Sequence, residues 1–522
     1  MNKKLFVYRN STLEYIFKSI DCEFSSYGGV EKTDDSDRDI VVLYLIPFCY
    51  SEEMIRLFVK EYIDKVKYIA GMYPNRKVQV CTLFNYFYRS FDKGGLRINS
   101  LIEEANDEVG KNNNVTLIDI DEFFIANDGE KIFDEKYYYL YNAIINPRLA
   151  TLFLNWFENK QRQISGIRKK CLVLDLDNTL WSGILGERGA AGIMLSGDYP
   201  GNAYHDFQLL IKEVAKTGII LCTCSRNDED NVRNCFEMRD DMVLKYDDFV
   251  LHSINWEDKP QRIAGMAKKL NIGLDSMVFV DDNPREREAV RTQLPEVYVP
   301  DFPSEPYQLV SHFVKVFDEC FGGFCFTDED KNKKTQYEIM LKSEELKKNF
   351  DNEEEFITNL GIELTIVEMN QTNISRISQL INKSNQFNMT TRRYSEEELR
   401  LMQKDGCLIY GIKVKDRFGD LGLSGVIIVK MEGDRAIIDT FLMSCRVLGR
   451  RIEDEFLKVV LNKLHQRGVL NVIGEYVATK KNGLVSDYYK RSGFEKIGEG
   501  RFEVNLKNDY QLKENYKIEE EK

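Results

Sequence analysis

Apolar residues along the chain follow two patterns in turn. Short continuous apolar runs, typical of strands, alternate with stretches in which apolar residues recur at the spacing of a helix. From the start to residue 163, apolar runs such as DIVVLYLIPF, KVQVCTLF and NVTLIDIDEFF alternate with stretches whose apolar residues recur at helical spacing. Alternation of strand-like and helix-like segments is typical of layered α/β folds. The pattern therefore predicts a first α/β unit over residues 1–163.

The same alternation continues over residues 164–330, which we predict to be a second α/β unit. Its apolar runs are CLVLD, IILCTCS, DDFVLHS, MVFVDD and EVYVPDFP, and amphipathic segments such as YHDFQLLIKEVAKTG and PQRIAGMAKKLNI separate them. Repeated strand and helix units of this kind predict a largely parallel sheet.

The rest of the chain has a different pattern. The charged segment TDEDKNKKTQYEIMLKSEELKKNFDNEEEF predicts a solvated connecting helix over residues 331–355. Over residues 356–510, the runs CLIYGIKVKD, SGVIIVKM and AIIDTFLMS precede the helix RRIEDEFLKVVLNKLHQRG and the strand VLNVIGEY. This order predicts a mixed α+β unit in which antiparallel hairpins lead into a crossover. We expect residues 511–522 to form a frayed tail.

Composition limits the class of protein. A length of 522 residues suggests about three domains. A net charge of -13 argues against non-specific nucleic-acid binding, which needs a broad positive surface, although local basic patches remain possible. Eleven cysteines without a CxxC pair fit neither a secreted disulfide framework nor a zinc ribbon, so we expect a cytoplasmic protein. The apolar runs are too short for a signal peptide or a membrane span.

Two apolar runs of the second unit end on pairs of acidic residues. Asp175 and Asp177 follow CLVL, and Asp281 and Asp282 follow MVFV. Because ligands of parallel sheets bind beyond the carboxyl ends of the strands, we expect both pairs to meet at one edge. Clustered carboxylates need a cation, and oxygen ligands without His or Cys favour Mg²⁺ together with a phosphate substrate.

Two further residues complete this predicted site. Ser225 ends the run IILCTCS and offers a hydroxyl to a phosphate oxygen, and Lys259 offers a positive charge. An Asp beside Mg²⁺ and Lys can attack phosphorus, and a second Asp can act as acid and then as base. Taken singly, each residue has a plainer interpretation, such as a solvated turn, a helix cap, a surface amine or a helix N-terminal charge. Their joint position at successive strand ends favours the catalytic interpretation.

These motifs carry a resemblance to a known family. DLDNT, Ser225, Lys259 and DDNPRER resemble, in this order, the four motifs of the haloacid dehalogenase (HAD) superfamily, and DLDNTLWSGILGERG with FVDDNPREREAVR resembles its FkbH-like branch in subfamily IIIC. The resemblance implies a Rossmann-like parallel sheet, with Asp175 as nucleophile and Asp177 as acid and base. The implied phosphate-binding residues are Thr179, Ser225, Arg226 and Lys259, and the implied Mg²⁺ ligands are Asp175, Asp177, Asp281 and Asp282.

Many HAD proteins cover the site with an inserted cap. Here only a loop-sized connection separates Asp177 from the helix at Tyr204. An uncapped site suits a substrate that is carried on a macromolecule.

The segment FLMSCRVLGRRIEDEF of the third unit resembles the acyl-CoA-binding turn of GNAT-type acyltransferases. Arg446 and Gly449 match that pattern, whereas Arg451 stands where the pattern has a small residue, so pantetheine phosphate on a carrier protein fits better than CoA. The resemblance implies carrier or pantetheine binding by Arg446, Gly449 and Arg450. Cys445, expected at a helix N-terminus beside these arginines, is a candidate acyl-carrying thiol. The alternative is a small buried hydrophobe.

The first unit resembles the SGNH-hydrolase-like domain that precedes the phosphatase domain in longer FkbH-like proteins. A working SGNH site needs Ser, Asp and His, and the first 200 residues contain no His, so neither Ser11 nor Asn85 can belong to a triad. We therefore predict a degenerate, non-catalytic scaffold domain.

The resemblance as a whole implies a Mg²⁺-dependent phosphatase and glyceryl transferase. Such an enzyme takes a phosphorylated glyceryl donor of the 1,3-bisphosphoglycerate kind and loads the glyceryl unit as a thioester onto an acyl carrier protein, in polyketide or surface polysaccharide biosynthesis. No nucleic-acid or membrane partner is expected. Two alternatives stay open: a plain HAD phosphatase whose flanking domains are scaffolds, and a non-catalytic module that binds a carrier protein.

Overall fold

The computed structural model divides the chain into two compact units, Met1–Arg162 and Gln163–Lys522. It describes residues 4–35, 37–48, 51–74, 76–86, 94–127, 131–166, 168–323, 332–384, 386–479 and 482–521. The division falls next to the predicted end of the first α/β unit. The predicted second and third units belong to one compact unit.

The described part of the first unit contains a five-stranded parallel sheet in the order β2-β1-β3-β4-β5. The strands are β1 (Lys4–Arg9), β2 (Asp21–Tyr27), β3 (Arg38–Leu43), β4 (Val78–Cys81) and β5 (Val115–Ile118). The helices are α1 (Glu14–Phe17), α2 (Glu52–Met72), α3 (Gly94–Gly110), α4 (Asp121–Ala126), α5 (Glu135–Tyr141) and α6 (Ala150–Ile164). Helix α2 buries Ile55, Val59, Tyr62 and Val66 at helical spacing in one core with the strand residues, as an amphipathic pattern requires. The predicted α/β class is confirmed.

The second unit opens, in its described residues, with a four-stranded parallel sheet in the order β8-β7-β6-β9. The strands are β6 (Cys171–Leu174), β7 (Ile220–Ser225), β8 (Leu251–Ile254) and β9 (Met277–Val280). The helices are α7 (Leu185–Gly192), α8 (Gly201–Lys216), α9 (Glu229–Met238), α10 (Lys259–Lys269), α11 (Pro284–Gln293) and α12 (Leu309–Phe321). The predicted parallel sheet is confirmed, except that EVYVPDFP forms only an isolated bridge between Tyr298 and Val278. Its prolines, such as Pro300, lack the N–H group that a sheet ladder needs.

The rest of the described part of this unit forms a mixed sheet in the order β16-β17-β15-β14-β13-β12-β10-β18, with β11 paired to β14. The strands are β10 (Ile362–Glu368), β11 (Phe387–Asn388), β12 (Leu408–Asp416), β13 (Gly419–Glu432), β14 (Arg435–Met443), β15 (Asn471–Glu475), β16 (Glu495–Gly498), β17 (Arg501–Asn505) and β18 (Tyr516–Glu520). The helices are α13 (Lys333–Lys347), α14 (Glu353–Leu360), α15 (Ile374–Lys383), α16 (Glu396–Lys404), α17 (Ile452–Gln466) and α18 (Tyr488–Arg491). Antiparallel β12, β13 and β14 lead through α17 to β15, which runs parallel to β14, so the predicted mixed α+β class is confirmed.

Two expectations for this region are wrong. The connecting helix, whose predicted start at residue 331 lies outside the described residues, is not solvated on all sides, since Tyr337 and Met340 of α13 are buried. The predicted frayed tail contains β18, which pairs in parallel with β10. The buried Tyr516 donates its hydroxyl hydrogen to the backbone oxygen of Arg450 at 2.8 Å.

None of the helices in the described residues has both the length and the apolar character that a membrane span requires.

Candidate active site

The carboxyl ends of the parallel strands bring the predicted catalytic residues together. Asp175 follows β6, Asp281 follows β9, and Lys259 begins the helix after β8. Strand β6 lies between β7 and β9, and Leu174 pairs with residues of both neighbours. The backbone N–H of Asp175 donates to the oxygen of Val280 at 3.0 Å. The residues that follow these strands therefore share one edge of the sheet.

Lys259 joins the two acidic strand ends. Its Nζ donates to Asp175 Oδ1 at 2.7 Å and to Asp281 Oδ2 at 2.6 Å, and its side chain is only 4% exposed. Burial by itself disfavours the ammonium, but the two carboxylates outweigh burial and raise the pKa of Lys259 above its usual value. Lys259 therefore stays positively charged between the two acids.

Three carboxylates crowd around this lysine. Asp175, Asp281 and Asp282 each place an oxygen within 4.8 Å of the others. Burial, with repulsion from Asp175, raises the pKa of Asp281 to about 6 and that of Asp282 to about 7. A hard cation would relieve this repulsion, and an all-oxygen donor set suits Mg²⁺. The donor set thus fits the predicted metal.

Asp177 does not belong to this carboxylate group, so the prediction of a fourth carboxylate ligand is corrected. Its Oδ1 accepts hydrogen bonds from Trp181 Nε1 at 2.9 Å and from the Leu185 backbone N–H at 3.0 Å, and its Oδ2 accepts one from Asn227 Nδ2 at 2.8 Å. Asn178, in the left-handed conformation with φ of 53°, turns the chain just after it. Burial is the main reason that the pKa of Asp177 is raised, and Asp175 adds to it. A carboxyl group that holds its proton more tightly suits an acid catalyst.

The predicted phosphate-binding residues have different surroundings. Ser225 is buried at the end of β7, and Lys259 is described above. Thr179 is also buried, and its Oγ1 accepts from the Asp282 backbone N–H at 3.2 Å, which ties the two acidic turns together. Arg226 lies at the exposed rim, where its guanidinium pairs with Asp258 at 3.2 Å and with Glu286 at 3.1 Å.

Sequence reasoning missed three residues that shape this edge. Asn227 orients Asp177, as described. Arg262 is buried and donates to the backbone oxygens of Ser225 and Asn255, each at 2.9 Å. Arg287 donates to the backbone oxygens of Asp281 and Asp282 at 2.8 and 2.7 Å. The position of Asn227, two residues after Ser225, was a usable signal. Arg287 belongs to the motif DDNPRER, in which only the two acids were given a role, whereas Arg262 lies in a helix without a distinctive pattern.

The loop between β14 and α17 differs from the predicted anion site. The helix begins at Ile452, so Cys445 lies in a separate short 3-10 turn, Cys445–Val447, rather than at the helix N-terminus. Arg446 is buried and donates to Ser444 Oγ and to the side-chain oxygen of Gln336. The Arg446 guanidinium is therefore held by groups of the protein itself.

Arg450 and Gly449 have structural roles in the same loop. Arg450 is buried and pairs with the buried Asp416 at 2.7 Å. Gly449 has φ of 78°, a conformation that favours glycine. The prediction that Arg446, Gly449 and Arg450 present a pantetheine-binding surface is therefore corrected for Arg450, whose guanidinium is held inside the protein.

Cys445 lies near the opposite edge of the parallel sheet from the carboxylates. Its backbone oxygen accepts from Asn271 Nδ2 at 2.6 Å, and its half-buried Sγ is 3.7 Å from the Tyr337 hydroxyl. Asn271 precedes β9, so it marks the amino-terminal edge of the sheet. The length of a four-residue strand, about 13 Å, separates that edge from the edge where Asp175 lies.

The first unit lacks the histidine that a working SGNH-hydrolase site would need. All four histidines of the chain, at positions 205, 252, 312 and 465, lie in the second unit. No Ser-His-Asp arrangement can form from the residues of Met1–Arg162.

Comparisons with known proteins agree with the α/β architecture. No protein-family model matches the chain, and no curated protein matches it. Among solved structures, the chain is similar to the N-terminal part of the protein BF1531 from Bacteroides fragilis, which contains a phosphatase domain complexed with Mg, with 24% identity over 62% of this chain and 95% of that chain and a TM-score of 0.55. This likeness shows a shared fold.

Two acetyltransferase structures also match a smaller part of the chain. The ribosomal-protein-S18-alanine N-acetyltransferase from Escherichia coli is 14% identical and covers 29% of this chain, with a TM-score of 0.23. A GNAT-family acetyltransferase from Staphylococcus aureus Mu50 is 12% identical and covers 28%, with a TM-score of 0.23.

Proposed function

We propose that the second unit is a Mg²⁺-dependent phosphatase of the HAD type. The observation that carries this proposal is the contrast between two neighbouring aspartates. Asp175 is ion-paired with Lys259 inside a carboxylate cluster, whereas Asp177 is held apart by three hydrogen bonds and has a raised pKa. In this proposal Asp175 is the nucleophile, and Asp177 carries the proton.

The proposed reaction has two steps. An oxygen of Asp175 forms a bond to the phosphorus of the substrate, the bond from phosphorus to the leaving oxygen breaks, and Asp177 gives its proton to that oxygen. Asp177 then takes a proton from a water molecule, whose oxygen bonds to phosphorus while the bond from phosphorus to Asp175 breaks. Inorganic phosphate leaves, and both aspartates return to their starting states.

The other residues of the edge support these steps. In this proposal Ser225, Thr179 and Lys259 hold phosphoryl oxygens, and the hydrogen bond from Asn227 orients Asp177. Asp175, Asp281 and Asp282 would hold Mg²⁺, which when bound offsets the charge of the carboxylates and of the phosphoryl group. The backbone contacts of Arg287 keep the Asp281 and Asp282 turn in place.

The substrate class follows from the FkbH-like motifs and from the short connection after Asp177. We infer a phosphorylated glyceryl donor and an acyl carrier protein as partner. In this scheme the Cys445 sulfur attacks the acyl carbon of an acyl phosphate and phosphate leaves; the carrier thiol then takes the acyl group and Cys445 leaves as a thiol. A second phosphate on the donor is removed at Asp175.

A second candidate, phosphate release without acyl transfer, is favoured by one observation. Cys445 and Asp175 lie near opposite edges of the same sheet, so an acyl group handled at both has to travel between them. The plain phosphatase needs no such movement.

Phosphate release tests the first part of the proposal. We expect the Asp175→Asn variant to release no phosphate from a phosphomonoester in the presence of Mg²⁺, and the wild-type chain to lose its activity when Mg²⁺ is chelated. Asp230→Asn, which changes an exposed acid of α9, is the matched control. Unchanged turnover in Asp175→Asn would remove that residue as the nucleophile.

Intact-mass measurement separates the two candidates. The chain is incubated with the phosphorylated glyceryl donor and an acyl carrier protein. A glyceryl mass on the carrier that is lost in Cys445→Ala, and kept in the control Cys407→Ala, supports acyl transfer. Phosphate release without any acyl adduct supports the plain phosphatase.

A further inference from the structure

A cavity of about 500 Å³ lies between the amino-terminal edge of the parallel sheet and the mixed sheet. Residues from the parallel-sheet part and from the mixed-sheet part of the second unit line this cavity. Lys170 and Ser276 lie at the starts of β6 and β9, Tyr337 belongs to α13, and Lys383 ends α15. A volume of this size falls in the range of small-molecule binding sites.

The walls of this cavity are joined by specific hydrogen bonds. Lys170 Nζ donates to the backbone oxygen of Lys383 at 3.4 Å, and Asn271 Nδ2 donates to the backbone oxygen of Cys445. Both bonds connect the parallel-sheet part to the mixed-sheet part. The cavity is therefore a built feature of the unit rather than a gap between loosely placed surfaces.

Cationic residues outnumber acidic residues in the lining. The lining contains six cationic residues and two acidic residues, Asp275 and Glu296, in a chain whose net charge is -13. The six cationic residues are Arg168, Lys170, Lys333, Arg376, Lys383 and Arg446. Partly enclosed clefts lined by one sign of charge concentrate ligands of the opposite sign.

The cavity also has an apolar wall. Ile272, Leu274, Leu380, Phe387 and Met443 contribute to it, and the half-buried thiol of Cys445 lies beside them. A ligand with phosphate charge at one end and a less polar body at the other would meet both kinds of surface.

We propose that this cavity is a second binding site, separate from the carboxylate site, for a small phosphorylated molecule with at least two negative charges. The proposal does not depend on phosphate release at Asp175, because the two sites lie near opposite edges of the sheet. A phosphorylated ligand would also give the lysines and arginines of the cavity lining a function. Neither the phosphatase chemistry nor the ion pair of Arg450 provides one.

Protection of Cys445 from alkylation tests the proposal on the full chain. Inorganic pyrophosphate is the probe, and EDTA keeps divalent cations away so that the three carboxylates repel it from the other site. Peptide mass spectrometry follows alkylation of Cys445 and of Cys407, a half-buried thiol outside the cavity lining. We expect pyrophosphate to slow alkylation of Cys445 several-fold, to leave Cys407 unchanged, and to act less strongly at high salt.

Removal of a positive charge from the cavity lining provides a second test. Lys383→Ala removes a lining cation at the end of α15, and Lys404→Ala, at the end of α16, is the matched control outside the lining. We expect Lys383→Ala to raise the pyrophosphate concentration needed for half protection by about ten-fold, the effect of one lost charge-assisted contact, and Lys404→Ala to leave it unchanged. Lys333→Ala repeats the test at a second wall.

Three outcomes would overturn the proposal. They are no protection at millimolar pyrophosphate, equal protection of Cys407, and protection that disappears in Asp175→Asn. The last outcome would place the probe at the carboxylate site. Protection that persists in Asp175→Asn while phosphate release is lost would support both sites separately, and protection without any phosphate release by the wild-type chain would support this site alone.

Discussion

At the scale of single residues, neighbouring acids of one motif have different surroundings because their hydrogen-bond partners differ. Asp175 faces an ammonium group, and Asp177 faces an indole N–H, a backbone N–H and an amide. Asp175 forms an ion pair with Lys259, whereas burial and Asp175 raise the pKa of Asp177. Position in the motif alone does not explain this difference in surroundings.

Substitution of Asp177 by Asn tests its role as the proton donor. The Asn oxygen can still accept from Trp181 and Leu185, so the fold should persist while the transferable proton is lost. We expect phosphate release to fall by about 10² to 10⁴-fold, most strongly for substrates with a poor leaving group.

The control for this variant is a phosphate ester whose leaving group needs no proton. With such a substrate, the first step should be much less affected. An equal loss with both kinds of substrate would contradict a proton-donor role and would indicate a structural one.

Sequence alone could predict Asp175 and Asp281, because each directly follows an apolar run and the ends of parallel strands share an edge. It could not exclude Asp177 from the carboxylate group. The direction of that side chain depends on the turn at Asn178, which has a positive φ, and on the amide of Asn227. The turn and the amide contact depend on the folded structure and cannot be read from the spacing of residues in the sequence.

At the scale of elements, the loop between β14 and α17 shows how an arginine-rich motif can be structural. Arg450 and Asp416 form an ion pair in which both side chains are almost fully buried. Asp416 also accepts from the backbone N–H groups of Phe418 and Gly419 at 2.8 and 3.2 Å. The pair therefore fixes the β12 to β13 turn against the start of α17.

Substitutions of this ion pair should change stability. We expect Arg450→Met to lower the free energy of unfolding by about 3 to 5 kcal/mol, because it leaves a buried carboxylate without its partner. The double variant Arg450→Met with Asp416→Asn should recover part of the loss, since Asn keeps an oxygen for the two backbone N–H groups.

Urea denaturation measures the free energy of unfolding of both variants. If Arg450 instead contacted a ligand at the surface, Arg450→Met would unfold at the same urea concentration as the wild type. The exposed Arg451, substituted by Met, is the neighbouring control.

Strand β8 contains a histidine that makes stability depend on pH. His252 Nε2 faces the backbone oxygen of Tyr246 at 3.1 Å, and Nδ1 lies 3.0 Å from the Thr223 hydroxyl. Because a carbonyl only accepts, Nε2 carries the proton and Nδ1 accepts from Thr223. Burial lowers the pKa of His252 to about 4.

The direction of the pH effect follows from this shift. Between pH 6.5 and 4 the unfolded chain binds a proton at this residue that the folded chain does not, so stability falls as the pH drops through that window. We expect His252 to account for a loss of about 3 kcal/mol at pH 4 relative to pH 7. In urea denaturation, His252→Gln should flatten this part of the pH profile.

The elements themselves were predictable to different degrees. Long apolar runs identified the strands β6, β7 and β9 correctly, because a strand buried on both faces needs a continuous apolar sequence. The five-residue strand β18 escaped prediction, since its charged composition resembles that of a tail and only its pairing with β10 reveals it.

At the scale of the whole molecule, the residues of the proposed phosphatase site all belong to one compact unit. The described residues of the carboxylate cluster, Lys259 and Asp177 lie in Gln163–Lys522. The sequence pattern suggested separate second and third domains, but the hydrogen bonds from Lys170 and Asn271 join those parts. Hydropathy patterns identify elements and do not record such contacts between them.

The first unit should therefore be dispensable for phosphate release. We expect a fragment that starts at Gln163, the first residue of the second unit, to release phosphate at a rate within about two-fold of the full chain, since the unit left out supplies none of the proposed catalytic groups. Phosphate release under Mg²⁺ saturation is the measurement. A folded fragment, judged by circular dichroism, with a much lower rate would show that the first unit supports the chemistry.

The parallel pairing of β10 with β18 has a consequence for how the protein acquires its structure. Ile362 and Tyr516 are neighbours in the sheet but roughly 150 residues apart in the chain. Contacts between such distant segments form slowly, because a long loop has to close before the pairing gains stability. Until then the outer edge of β10 stays exposed and is a site where growing or refolding chains can aggregate.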